Sequence, residues 1–407
     1  MGATARASIR ASVRAAFGPA DAGAARGISA VASAHMGDDI RPFDITTPEA
    51  DLDDLRERLA RTRWPDQIPG SGWSYGTDLE YLQDLCDHWR TKFDWRAQED
   101  RFNRWPHFVT QIDGQQVHFI HARSDNADAL PLIISHGWPG SVAEFLEVIE
   151  PLREQFHVVA PSLPGYGWSG PTVESGWDVQ RIAEAWATLM ARLGYERYGA
   201  QGGDWGAMIS ARLAGHDPEH CIGLHSNMLL AFPDDASGIE LSEQEQADLA
   251  SAAAFMTTGA AYQEIQGKNP QTLAYGLTDS PAGLAGWIVE KFLAWTDNNG
   301  NPEDAVTREQ ILTNITLYWV TKTINSSTRL YCESSRSHRF GPTGEYIGVP
   351  TAAAVFPAEI FRIPRAFAET RFNIKRYTRF DRGGHFAALE EPDLLVPDIK
   401  AFFGELV

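Results

Sequence analysis

Cysteine is scarce in this chain: Cys86, Cys221 and Cys332 are the only three among 407 residues. They stand far apart, form no CxxC, and are too few for a disulfide framework or a thiolate metal site. They are expected as small buried hydrophobes, a usage that suits a reducing, cytoplasmic compartment. No uninterrupted apolar run approaches about 20 residues, so no transmembrane helix is expected. Basic charge is also short: 35 Lys+Arg against 54 Asp+Glu leave a net charge of -19. Such a field repels phosphate backbones and anionic lipid, so neither nucleic acid nor a membrane surface is an expected partner. The chain shows no internal repeat.

What is present, 43% hydrophobic and 22% charged residues, can build a sizeable core. Residues 1–36 stand apart, being rich in Ala, Ser and Gly. Arg6, Arg10, Arg14 and Arg26 lie there, with Ile9, Val13 and Phe17 at helical spacing. That pattern resembles a transit-type leader. The preferred reading is a disordered extension, or an upstream start with Met36 as the natural one, and the segment is left out of the fold.

A helical region follows within residues 37–125. Thr47-Pro48-Glu49 predicts an N-cap with proline at N1, and Leu52, Leu55 and Leu59 trace one face of the helix that follows. Leu79, Leu82 and Trp89 mark a second helix. Asp113-Gly114 predicts a two-residue hairpin between the runs Phe108–Ile112 and Gln116–Ala122. From about residue 130 short apolar runs alternate with helical stretches. The runs Leu130–Ser135, His157–Ala160, Tyr198–Gly202, Ile222–Leu224, Ala352–Phe356 and Ile374–Phe380 read as buried strands. The fold class is therefore α/β with a mostly parallel sheet. Its core is expected from residues 126–228 and 342–407, with 229–341 as a helical cap over the carboxyl ends of the strands. Within that cap, Leu284, Ile288, Phe292 and Trp295 share a face, and Ile311–Tyr331 reads as one long segment.

Gly202-Gly203-Asp204-Trp205-Gly206 has small residues two before and two after its centre, as a tight strand-to-helix elbow requires. Asp204 stands where such elbows carry a serine nucleophile. A carboxylate needs no base to attack a strained or activated carbon, and the helix N-terminus favours its charge. A helix-capping aspartate is the plainer alternative. His136-Gly137-Trp138-Pro139-Gly140-Ser141 follows a strand, so the Trp138 and Trp205 amides can form an oxyanion hole, with His136 orienting the loop. His385, after Gly383-Gly384, and Glu359, after Phe356-Pro357-Ala358, complete the order nucleophile, acid, histidine. Asp234 and Asp235 are rival acids.

These stretches, with the Arg63-Trp64-Pro65 region, Ser162–Ser169 (SLPGYGWS) and Gly383–Pro392 (GGHFAALEEP), resemble the microsomal-type epoxide hydrolases, an α/β-hydrolase family with an N-terminal meander. The resemblance spans residues 37 to 407. It implies Asp204 as nucleophile, His385 as base and Glu359 as its partner, with an oxyanion hole from Trp138 and Trp205. It also implies two cap tyrosines that protonate the epoxide oxygen. Local match selects Tyr262 and Tyr331, with Tyr275 and Tyr318 as competitors. Animal members carry a membrane anchor; this chain resembles the soluble microbial members. The implied reaction needs no cofactor and no metal, its partner is a small-molecule epoxide, and a homodimer is the assembly considered. Trp138, Trp168, Trp205 and Phe386 are expected to line an aromatic substrate pocket. Haloalkane dehalogenase is the rival enzyme, sharing the aspartate elbow but needing no tyrosine acid. An inactive hydrolase-fold binding protein is the rival outside catalysis, and it would show a broken triad.

Overall fold

Leu132, Ile133 and Ile134 are apolar in succession and fully buried, which only a strand covered on both faces allows. The computed structural model in which they lie describes residues 40–407. The segment 1–36, read above as an extension, lies outside the described residues.

Nine strands form one sheet: β1 (Arg41–Phe43), β2 (His107–Ile112), β3 (Gln115–Ala122), β4 (Leu130–Ser135), β5 (Phe156–Pro161), β6 (Tyr198–Gly202), β7 (Cys221–Ser226), β8 (Ile347–Val355) and β9 (Phe372–Arg379). Their order is β1-β2-β3-β5-β4-β6-β7-β8-β9. The first three pairings are antiparallel and the rest parallel, with Ile133 opposite Ala200 and Ser135 opposite Gly202. The hairpin at Asp113-Gly114 joins β2 and β3, and both residues have positive φ, 48° and 76°. That is the backbone such a two-residue turn demands. β1 is a strand that periodicity does not reveal, and it makes residues 41–122 contribute three strands to the same sheet as the core.

The longer helices before the cap are α1 (Glu49–Ala60), α2 (Leu79–Thr91), α3 (Trp95–Asn103), α4 (Val179–Arg192) and α5 (Asp204–His216). Between β7 and β8 come α6 (Glu243–Thr258), α7 (Ala261–Lys268), α8 (Pro270–Asp279), α9 (Pro281–Trp295), α10 (Arg308–Thr321) and α11 (Ile324–Arg336); α12 (Pro392–Gly404) closes the chain. Two expectations need correction. Thr47 is not the N-cap of α1: its hydroxyl accepts from Trp95 Nε1 at 2.8 Å, and Pro48 holds the cap position without a side-chain bond. The stretch Ile311–Tyr331 is two helices, because Lys322 turns left-handed (φ 57°) between α10 and α11.

Alternation along β4 divides the core. Ile133 packs with Trp186, Leu189 and Ile209 on one side, and Leu132 and Ile134 pack with Ile149, Leu152, Phe402 and Phe403 on the other. Each such side chain contributes roughly 1.5–3 kcal/mol of burial. The sheet is thereby held rigid at the strand ends that carry the site. Among the described residues no helix is long and apolar enough to cross a membrane.

Candidate active site

Chain crowding makes the turn from β6 to α5. A Cβ on Gly202 would lie 2.3 Å from the Gly206 carbonyl, and one on Gly206 would lie 1.9 Å from Ser135 O. Neither position can carry a side chain. The residue between them, Asp204, is forced to φ +50°. That left-handed conformation costs a non-glycine residue about 1–3 kcal/mol, and such strain clusters at functional sites.

The loop after β4 comes so near that a Cβ on Gly137 would fall 2.1 Å from Asp204 Oδ1. The Trp138 N–H donates to that oxygen at 2.8 Å. Trp205 is the second residue of α5, where an amide has no carbonyl partner within the helix. The loop is braced by His136, whose Nε2 accepts from Leu163 N at 3.2 Å while its other nitrogen donates to Gly137 O at 2.9 Å. Burial pushes the His136 pKa down to about 4, so the ring is neutral there.

On the other carboxylate oxygen, Asp204 Oδ2, stands His385 Nε2 at 3.4 Å, and His385 Nδ1 meets Glu359 Oε1 at 2.8 Å. Two backbone bonds fix the histidine loop: His385 N–H donates to Trp295 O of the cap, and Ala358 N–H to Gly383 O. Burial alone would lower the His385 pKa, but the carboxylates of Glu359 and Asp204 outweigh it and raise it well above the usual value. The rival acids do not approach. Asp234 pairs with Arg371 with its side chain 92% exposed, and Asp235 accepts from Ser237 N.

The cap closes over Asp204 with aromatic rings. Tyr262 stacks on Trp138, their centroids 5.3 Å apart, and Tyr331 stands edge-on to Trp205 at 4.6 Å. Tyr262, Tyr331, Trp205 and Asp204 line one largely apolar pocket with Met208, Met228 and Phe361. Burial above all raises both phenol pKa values well above the usual tyrosine range, helped by the Asp204 charge at Tyr262 and by Tyr262 and then Asp204 at Tyr331, which keeps them in the donor form. The competing tyrosines lie elsewhere. Tyr275 is 72% exposed, and Tyr318 donates to Gly140 O at 2.7 Å beneath the loop.

Asp204 also borders a second cavity, lined by His385, Phe386, Gln201, Asn227 and Glu144. Phe386 therefore reaches the site from this side, stacked on Phe292 at 4.5 Å. Trp168 does not reach it: the short turn Gly167–Ser169 aims its indole at Phe102, His107 and His118. Glu144 escapes sequence reading. Its carboxyl fills the room left by Gly140, where a Cβ would fall 1.4 Å from Oε1. Burial pushes its pKa up to about 8 over an opposing pull from His385, and the Asp204 charge adds a smaller push. A glycine four residues before a glutamate is too faint a signal to have found it. Among the described residues no group of three or more His, Cys, Asp and Glu is placed to hold a metal ion.

Comparison with known proteins agrees with this geometry. Residues 40–145 match the epoxide hydrolase N-terminus family and residues 131–302 the alpha/beta hydrolase fold family. Epoxide hydrolase 1 of Sus scrofa is 35% identical over 404 residues, covering 90% of this chain and 89% of its own. The solved juvenile hormone epoxide hydrolase of the silkworm Bombyx mori has a TM-score of 0.85 at 32% identity, covering 90% of this chain and 95% of that one. An Aspergillus niger epoxide hydrolase structure gives 0.82 at 33%, covering 91% and 97%. Likeness of this extent, running from the meander through the cap to the histidine loop, makes the chain a member of the epoxide hydrolase family.

Proposed function

We propose that this protein adds water to an epoxide, giving a vicinal diol, through an ester on Asp204. The observation that carries the reading is one apolar cavity lined by a carboxylate and two phenols, Asp204, Tyr262 and Tyr331. Ring opening leaves an alkoxide, and a phenol is a far better proton donor to it than water. Tyr262 and Tyr331 polarise the oxirane oxygen while Asp204 attacks a ring carbon from the opposite side. The carbon–oxygen bond breaks, an ester forms on Asp204, and the alkoxide takes a phenolic proton.

Hydrolysis of that ester belongs to the second cavity, where His385 faces Asp204. The ester has no charge, so one of the two anions that raise the His385 pKa is gone at that stage. The ring can then take a proton from water, which attacks the carbonyl of Asp204. The Trp138 and Trp205 amides hold the tetrahedral oxyanion, and Glu359 fixes the ring tautomer and stabilises the imidazolium. Residues 126–228 and 342–407 serve as the catalytic core and 229–341 as the cap. The enzyme works in the cytoplasm, a compartment that its three buried free cysteines suit.

A haloalkane dehalogenase would use the same aspartate and histidine, yet would have no use for the two phenols. A panel of apolar epoxides and haloalkanes assayed for diol and halide separates the two readings. Diol from epoxides without halide release is expected; halide release alone would overturn the proposal.

A further inference from the structure

Lys291 lies on the buried side of α9, three residues after Ile288 and four before Trp295, in the stripe otherwise occupied by apolar side chains. It is 3% exposed. Lysine is almost never buried to that degree unless paired. Among the described residues its ion-pair partner is Glu290, with Oε2 at 2.6 Å, on a side chain that is itself 36% exposed. Three aromatic rings also stand near it. Nζ stands 4.4 Å from the ring centroid of Tyr262 and 5.8 Å from those of Trp287 and Trp295. An ammonium inside an aromatic box is held by the negative faces of the rings, an attraction that strengthens when water is excluded.

Tyr262 is one of the two phenols placed over Asp204, and Lys291 approaches its face rather than its hydroxyl. We propose that Lys291 is an electrostatic positioning residue that stabilises the phenolate Tyr262 becomes as it protonates the opening epoxide. The inference rests on the epoxide-opening reading above. In that step the Asp204 oxygen bonds to carbon, the carbon–oxygen bond of the ring breaks, and the Tyr262 proton passes to the departing oxygen. Negative charge appears on Tyr262 and spreads into the ring that Lys291 faces. Once the ester removes the Asp204 charge, the proton that His385 gives up restores the phenol, and the proton it then takes from water recharges the ring, so no charge accumulates over the cycle. Glu290 opposes the effect, but it sits at the solvent side while the ammonium is enclosed against the ring. Burial lowers the Lys291 pKa and Glu290 counters that shift, so the same pairing helps retain the cation.

Lys291→Met and Lys291→Gln both remove the charge, one with an apolar stem and the other with a polar end, and melting curves identify which is folded. Ester formation and ester hydrolysis are timed separately in rapid-quench single turnovers on an epoxide that the unaltered enzyme opens. A charge-free variant is expected to form the ester about tenfold to hundredfold more slowly, with hydrolysis changed less than about twofold. Lys291→Arg is expected to recover most of the first rate. In a Tyr262→Phe background the charge-free change is expected to cost nothing further, since the group it acts through is gone. Equal losses with and without Tyr262, equal slowing of both steps, or an unaltered first rate would each overturn the role of Lys291. Failure of the unaltered enzyme to open any epoxide would instead overturn the reading on which it rests.

Discussion

His385 Nε2 stands 3.4 Å from Oδ2 of Asp204, on the oxygen opposite the one held by the Trp138 amide. The two oxygens thus face different tasks. One is fixed by an amide that can later hold an oxyanion; the other faces the base. Since the Glu359 and Asp204 charges keep the free-enzyme histidine protonated, its use as a base is tied to loss of the Asp204 charge. In the proposed mechanism, ester formation itself readies the second step.

Asp204→Ala is expected to lower turnover by roughly 10⁴-fold or more, since the covalent bond has no other donor. The side chain is at the cavity wall rather than in the core, so stability should change by only about 1–2 kcal/mol. Diol formation and urea unfolding measure both. Near-normal diol release from a folded Asp204→Ala protein would remove the covalent route.

The tyrosines should behave as a partly redundant pair. Tyr262→Phe or Tyr331→Phe alone is expected to slow ester formation about 10- to 100-fold, and the double change about 10⁴-fold. Tyr275→Phe, at an exposed position, should leave the rate unchanged. Tyr318→Phe loses its bond to Gly140 O and should cost about 1 kcal/mol of stability with little effect on ester formation. Larger rate losses from Tyr275 or Tyr318 than from the pair would move the proton donors elsewhere.

Glu144 should leave a mark on stability against pH. Its folded pKa of about 8 lies above the ordinary 4.5. Between those values the folded state keeps the proton that the unfolded state has lost, so this group makes stability fall as pH rises. The slope is at most about 1.4 kcal/mol per pH unit. Below the lower value it costs nothing, and above the upper one the cost is complete. Glu144→Gln should remove that fall, so the variant gains on the parent steadily from acid to alkaline pH. Parallel stability curves for the two proteins would place the Glu144 proton elsewhere.

What can be read from the chain follows from how local its cause is. The elbow at Gly202–Gly206 is legible because crowding between residues a few positions apart dictates glycine. The strands β4 to β7 are legible because burial on both faces removes alternation. Glu144 is not, since its meaning depends on the room at Gly140 and on β4 lying beside β6. Trp168 is misread because membership of the SLPGYGWS stretch does not say where a short turn aims its indole. The break at Lys322 is invisible for a similar reason: neither glycine nor proline announces that left-handed residue. Lys291 does leave a trace, a lysine at the i+3 position of an apolar stripe, but its partner ring on α7 is supplied by tertiary folding alone.

In the proposed mechanism ester formation requires Asp204 and a phenol, whereas ester hydrolysis requires His385, and the two can be separated by mass. His385→Gln, given an epoxide, should react once and stall, with intact-protein mass spectrometry showing the gain of one substrate and digestion placing it on Asp204. In wild-type single turnover in ¹⁸O water, the first diol should carry an unlabelled oxygen from Asp204, with label entering only in later turnovers. A labelled first diol together with an unmodified His385→Gln protein would mean that water attacks the epoxide directly, and Asp204 would not be the nucleophile.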